Sequence, residues 1–184
     1  IAMTEPGAGS DAGAMRTTAK RDGDHWVLNG QKVFSTGSGA RDNVISLYAK
    51  TDNDVNYKKG ISLFLIDNTT PGLELRKLDT LGRRSIGTYE IFLDNVRVPA
   101  DRLVGEVNQG WKYMMSGLQL ERMMTTAGYC GAAQSVVDLA LKYATERVQF
   151  GQPIGDFQAI AHMLADMQTE VEAARMLMLK AAWE

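Results

Sequence analysis

One cysteine, two histidines and four prolines are all that 184 residues contain of these types. A lone Cys130 forms no internal disulfide, which permits a reducing compartment without establishing one. It sits on a helical pattern with no motif around it and reads as a packed thiol. His25 and His162 are separated by most of the chain, and no Cys or carboxylate cluster accompanies them at ligand spacing, so no metal site is expected. Lys and Arg number 20 against 22 Asp and Glu, a net charge of -2. Without a basic excess or a long basic run there is no footing for nucleic acid or an anionic membrane surface. The longest strongly apolar run, Ile61 to Ile66, is far too short to span a bilayer. Internal repeats, low-complexity tracts and Pro-rich linkers are missing as well.

What is present is ordinary for a globular protein, with 45% hydrophobic and 23% charged residues. From Arg16 to about Val104 the pattern is strand, turn, strand. His25 to Leu28 leads into Asn29-Gly30, whose residues tolerate positive φ and predict a hairpin turn, with Gln31 to Thr36 returning. Val44 to Ala49, Ile61 to Ile66, Gly72 to Lys77 and Tyr89 to Leu93 are further β-rich runs. Strands without long helices between them predict an antiparallel sandwich or barrel. After Gly105 the period changes to three and four, through Trp111, Met115, Leu118 and Met123 to Val137, Leu141 and Ala144, which predicts a long helix. Gly128 and Gly131 mark close packing or a break within it. Gly151-Gln152-Pro153-Ile154-Gly155 interrupts, and a second helix starts near Phe157 and packs antiparallel to the first. The expected fold class is α+β. A β domain spans residues 1–106, and residues 107–184 form long antiparallel helices of a helical bundle, with the boundary near Gly105 to Gly110. The ten methionines are adaptable core filler, some of them available to line a pocket. The sequence opens directly on a Gly-rich loop and closes at Trp183-Glu184 inside a helical pattern, and so reads as an interior piece of a longer subunit.

That opening loop, Thr4-Glu5-Pro6-Gly7-Ala8-Gly9-Ser10-Asp11, leaves amides unscreened at Gly7 and Gly9 and flanks them with the hydroxyls of Thr4 and Ser10. It lacks the Gly-Lys-Ser/Thr ending of a phosphate loop, and the strand and helix that frame a dinucleotide fingerprint. On residue types alone an acidic surface turn accounts for it equally well. As a string, however, it resembles the flavin-binding loops of the acyl-CoA dehydrogenase family. The resemblance continues through Asn29-Gly30-Gln31-Lys32-Val33-Phe34-Ser35-Thr36, Leu81-Gly82-Arg83-Arg84-Ser85, Asp94-Asn95-Val96-Arg97-Val98-Pro99, Leu120-Glu121-Arg122, and Glu146-Arg147-Val148-Gln149-Phe150-Gly151 with Phe157-Gln158. These segments fall in the family's order and spacing.

The resemblance implies FAD as cofactor and α,β-dehydrogenation of an acyl-CoA thioester to trans-2-enoyl-CoA, by carboxylate removal of the α proton and hydride transfer to flavin N5. It places the Met3 and Thr4 backbone at the flavin pyrimidine side. Gly9 belongs to the same cofactor loop, and Ser10 contacts pyrophosphate or acyl-CoA. Phe34, Ser35 and Thr36 lie by the flavin ring, the Thr36 hydroxyl near N5. Phe34 stands where the family often has Trp, and Ser35 where it often has Ile. Arg147, Gln149 and Phe150 match residues that reach the adenosine-diphosphate part of a neighbouring subunit's FAD, with Gln158 nearby, which implies a homo-oligomer, a dimer of dimers. Arg122 matches a CoA anchor. Glu121 matches the catalytic carboxylate of some subfamilies, while in others that base lies beyond residue 184. On residue type alone the Glu121-Arg122 pair is an ordinary solvated one. An electron-transferring flavoprotein is the implied partner, and the bacterial cytoplasm or mitochondrial matrix the implied compartment. A flavin oxidase or monooxygenase of the same superfamily, and a non-catalytic scaffold, are the alternatives.

Overall fold

A computed structural model describes residues Ile1 to Glu184. Packing divides them into two units, Ile1–Met115 and Ser116–Glu184, and each has its own logic.

The first unit is a six-stranded sheet built from β1 (Thr18–Asp22), β2 (His25–Thr36), β3 (Val44–Lys50), β4 (Ile61–Asp67), β5 (Leu73–Leu78) and β6 (Thr88–Pro99), in the order β4-β3-β1-β2-β6-β5. Four of the five junctions are antiparallel, as expected. The fifth, β1 with β3, is parallel and touches only at Thr18 and Lys50. The sheet is therefore mixed. Alternating inward residues make one core, in which Ala2, Leu28, Leu47, Phe64, Ile91 and Val96 are all fully buried. Trp26 on β2 meets Phe64 on β4 edge-to-face at 5.5 Å. Three strand spacings of about 4.8 Å would hold them roughly 14 Å apart in a flat sheet. The sheet must curl, and Asp67 at the end of β4 meets Arg102 after β6 at 3.3 Å, the barrel-like closure that the strand pattern predicts.

The expected Asn29-Gly30 hairpin turn is not formed. β2 runs straight through it, paired with β1 along its first half and with β6 along its whole length. The turn is one step earlier, at Gly23-Asp24, because β1, a strand the sequence did not single out, supplies the hairpin partner. Asn29 instead ties the two strands across a bulge, accepting the Asn95 amide at 2.8 Å. Gly30 is required for another reason. Its φ of 148° and the Thr17 Cα, which would lie 2.7 Å from a side-chain carbon, leave room for hydrogen only. β6 outruns its expected end at Leu93 because Asp94-Asn95 forms this bulge instead of a terminus.

Helix α1 (Gly110–Glu146) begins in the first unit, where Trp111 packs edge-to-face on Tyr57. At 1.5 Å per residue its 37 residues reach about 55 Å. It is unbroken at Gly128 and Gly131, and neither has a neighbour within 4 Å of the missing side chain, so neither expected role is realised. In the second unit α1 lies antiparallel to α2 (Gln158–Trp183), bridged by Gln134 to Gln168 at 2.9 Å and Arg175 to Gln134 at 3.3 Å. Between the helices, β7 (Val148–Gln149) and β8 (Gln152–Pro153) form a minimal hairpin. Cys130, Val137, Ala144 and Val171 are buried here, whereas Tyr129, Val136, Leu139, Met176 and Leu177 are exposed. No helix is long and apolar enough to cross a membrane.

Candidate functional site

The Gly-rich loop is stitched into the sheet of the first unit. The Ala2 amide donates to the Ser46 carbonyl at 2.8 Å, the Tyr48 amide returns to Ala2, and the Val33 amide donates to the Thr4 carbonyl at 2.8 Å. Residues 2 to 4 thus fill the gap between β3 and β2 that the short β1 leaves. Glu5 and Ala8 close the loop with a reciprocal pair of backbone bonds. Residues 1 to 4 thereby run beside β2 near Phe34 and Ser35, with the Ser35 hydroxyl bonded to the Ile1 carbonyl at 2.7 Å.

Beneath the loop is an ion pair that the sequence reading passed over. The Lys32 side chain is fully buried and Glu5 is 7% exposed, with Nζ donating to Glu5 Oε1 at 2.9 Å and to the Met3 carbonyl at 3.1 Å. The Glu5 carboxylate also accepts the amides of Arg16 and Thr17 at 2.6 and 2.9 Å. Burial alone would raise the Glu5 carboxyl, but the Thr17 side chain, the Lys32 ammonium and the Arg16 amide together hold it below the ordinary value. Burial pushes Lys32 below the ordinary lysine value, and Glu5 offsets only part of that. A signal for the pair was available: within the two family-like strings, Lys32 is the one cation and Glu5 one of only two acids.

Phe34 lies on a second bulge, where Val33 and Phe34 of β2 stand opposite Glu90 alone. Its φ is 59°, a left-handed conformation that costs a side-chain-bearing residue about 1–2 kcal/mol. The bulge turns the ring outward, 65% exposed. Ser35, next along, points inward and is fully buried, its hydroxyl donating to the Ile1 carbonyl at 2.7 Å and accepting from the Ser38 hydroxyl at 2.6 Å. Thr36 is half-buried with its hydroxyl 3.2 Å from that of Thr88. If Thr88 donates, the Thr36 proton is free for another acceptor. The Thr4, Gly7, Gly9 and Ser10 amides have no acceptor within the chain. Neither Gly7 nor Gly9 has a positive φ, and a side-chain carbon would meet nothing at Gly7 and only an ordinary contact at Gly9. The fold itself does not require glycine at these two positions.

In the second unit, Arg147, Gln149, Phe150 and Gln158 share the junction between α1 and α2, all exposed. The Ile154 amide donates to the Arg147 carbonyl at 2.8 Å, which closes the β7-β8 hairpin. Phe150 and Gly151 form its turn with φ of 52° and 84°, the two positive values of a type I′ turn. Phe150 is 95% exposed, its ring edge-to-face with Phe157 at 6.2 Å. Glu121 and Arg122 lie on the exposed surface of α1 in this unit and do not pair with each other. Two of the six non-glycine residues with positive φ are therefore the two phenylalanines singled out from sequence.

Comparison with known proteins places this geometry. Residues 1–96 match the acyl-CoA dehydrogenase middle domain and residues 108–184 the acyl-CoA dehydrogenase C-terminal domain. The chain is 44% identical over 183 residues to the caffeyl-CoA reductase-Etf complex subunit CarC of Acetobacterium woodii, covering 99% of this chain and 48% of that one. The structure of glutaryl-coenzyme A dehydrogenase with glutaryl-CoA superposes with a TM-score of 0.92 at 44% identity, over 98% of this chain and 46% of its own. A structure described as an FAD-dependent dehydrogenase gives 0.92 at 33% identity, over 99% of this chain and 49% of its own. The chain thus spans about half the length of the curated relatives it matches. Both domain types match in their family order, and the chain belongs to the acyl-CoA dehydrogenase family.

Proposed function

We propose that the protein is an FAD-dependent dehydrogenase of acyl-CoA thioesters, to which residues 1–106 contribute the middle β domain and residues 107–184 the first part of the helical domain. One observation carries this reading: Phe34 holds a strained backbone that turns an aromatic ring out of the core, beside the unpaired Thr4 amide. Such strain gains nothing for the chain's own packing and is characteristic of a ligand site. Glycines at positions 7 and 9 that the fold does not need leave the loop amides open to a ligand.

FAD, when bound, supplies the hydride acceptor for the substrate β hydrogen. The Met3-Thr4 edge and the Phe34-Ser35-Thr36 segment would hold the flavin ring, with the Thr36 hydroxyl as donor. Gly9 and Ser10 would face pyrophosphate or the acyl-CoA. Arg147, whose planar fork matches two phosphate oxygens, would act with Gln149, Phe150 and Gln158 on the adenosine-diphosphate part of a neighbouring subunit's FAD, in a dimer of dimers. Arg122 would anchor CoA. Glu121 would take the α proton once the assembled protein covers its exposed carboxylate and excludes water from it. A carboxylate beyond residue 184 is the other placement of the base. The electrons would pass to an electron-transferring flavoprotein.

The test is chemical. The intact protein should purify with FAD and convert a saturated acyl-CoA, in the presence of an artificial electron acceptor, to a product two hydrogens lighter with a trans 2,3 double bond. A protein that takes up no FAD, or FAD that no acyl-CoA reduces, would remove the proposal. A second reading, reduction of a 2-enoyl thioester, is favoured by the name of the Acetobacterium relative. It uses the same residues in reverse, and faster turnover of enoyl-CoA with a reduced donor than of acyl-CoA with an acceptor would select it.

A further inference from the structure

We propose that Lys32 is the positioning residue of the cofactor edge: its ammonium fixes the Met3 carbonyl and thereby aims the Thr4 amide out of the core. The inference rests on the FAD reading above and deepens it. A lysine ammonium has three protons. Here one goes to the Met3 carbonyl at 3.1 Å, one to Glu5 Oε1 at 2.9 Å and the third faces Met15 Sδ at 3.9 Å.

The peptide between Met3 and Thr4 is trans, as every peptide in the chain is. In a trans peptide the carbonyl and the N–H point in opposite directions. Holding the Met3 oxygen on a buried ammonium therefore turns the Thr4 N–H directly away from it. The next peptide behaves alike, with the Thr4 carbonyl held by the Val33 amide and the Glu5 amide directed oppositely, onto Ala8. The difference is that the Glu5 amide has an acceptor in the chain and the Thr4 amide has none. Thr4 N–H is thus a donor that two bonds from adjacent residues of β2, Lys32 and Val33, place and leave free. Phe34, the next residue of the same strand, carries the outward ring. Lys32 joins the loop and the bulge into one rigid edge.

Glu5 has a different part. It satisfies the lysine charge and ties the pair to the Arg16 and Thr17 amides. Stability and positioning can therefore be separated. Lys32→Met leaves a buried carboxylate without its counter-charge. The double variant Glu5→Gln/Lys32→Met removes both charges at similar volume and keeps an acceptor oxygen for one of the two amides, Arg16 or Thr17, so it should be more stable than Lys32→Met. The Met3 carbonyl lacks its donor in both.

The measurement is FAD titration of the deflavinated intact protein, with the visible absorption and circular dichroism of the bound flavin. The double variant should recover part of the thermal stability that Lys32→Met loses, yet bind FAD about tenfold more weakly than the parent, the value of one well-placed hydrogen bond. Its flavin band should also differ in shape. A core variant of the same unit away from the loop, Ile66→Ala on β4, should lose stability while keeping the parent spectrum. Parental affinity and spectrum in the double variant would overturn the proposal. An Ile66→Ala spectrum altered in the same way would also overturn it, since the effect would then be general loosening. A parent that binds no FAD would fail the reading on which the inference rests.

Discussion

A buried lysine survives only when its charge is matched and its protons are placed, and Lys32 satisfies both conditions through Glu5, Met3 and Met15. Removing one partner of such a pair should cost about 3–5 kcal/mol, so Lys32→Met should lower the urea midpoint at unchanged slope. The pair also sets an acid limit. Glu5 titrates below the ordinary carboxylate value of 4.5 in the folded chain, so its contribution is complete above that value and is lost as the pH falls through the lowered folded one. Unfolding midpoints against pH should show this decline, and Glu5→Gln, less stable at neutral pH, should show a smaller acid slope. Phe34 gives the opposite signature. Phe34→Gly relieves the left-handed strain, about 1 kcal/mol, and should leave stability equal or higher while weakening FAD binding. A variant losing stability and FAD affinity together would argue that the ring serves packing instead. The phenylalanine's place in the motif was legible in the sequence; its backbone was not, because φ depends on the register between β2 and β6.

At the scale of elements, the period of apolar residues gave β3, β4, β5 and both helices nearly at their observed limits, and missed β1. It failed where turn chemistry occurs inside a strand. Asn29-Gly30 has the residues of a hairpin turn, yet long-range pairing with β6 on one side and β1 with the loop on the other carries β2 through it. Asp94-Asn95 is the same case on β6. Local propensity cannot distinguish a turn from a bulge when both need positive φ. Gly30 tests this account. Gly30→Ala adds a carbon against the Thr17 backbone and should destabilise the first unit by about 1–3 kcal/mol, with hydrogen exchange accelerating first at β1 and the loop. An Ala variant as stable as the parent would mean that the close approach of Thr17 has no energetic weight.

At the scale of the whole molecule, two domain types of one family occur in order, and the matched relatives extend about twice as far. Much of the apolar surface on α1 and α2, such as Tyr129, Val136 and Leu177, has no partner in the second unit. The sequence made the family legible through strings with characteristic order, whereas the Lys32-Glu5 pair, 27 positions apart, showed only as the one cation beside one of two acids in those strings, with nothing in the spacing to announce a contact. The central claim is that this family member moves two hydrogens between an acyl-CoA and FAD. Its most direct test is the visible spectrum of the intact, FAD-loaded protein before and after anaerobic addition of a panel of acyl-CoA thioesters, repeated with Glu121→Gln. The account predicts that the oxidised flavin band bleaches with at least one thioester in the parent, and much more slowly in the variant if Glu121 is the base. A saturated flavin site whose band no acyl-CoA or enoyl-CoA changes, in either redox state, would contradict it.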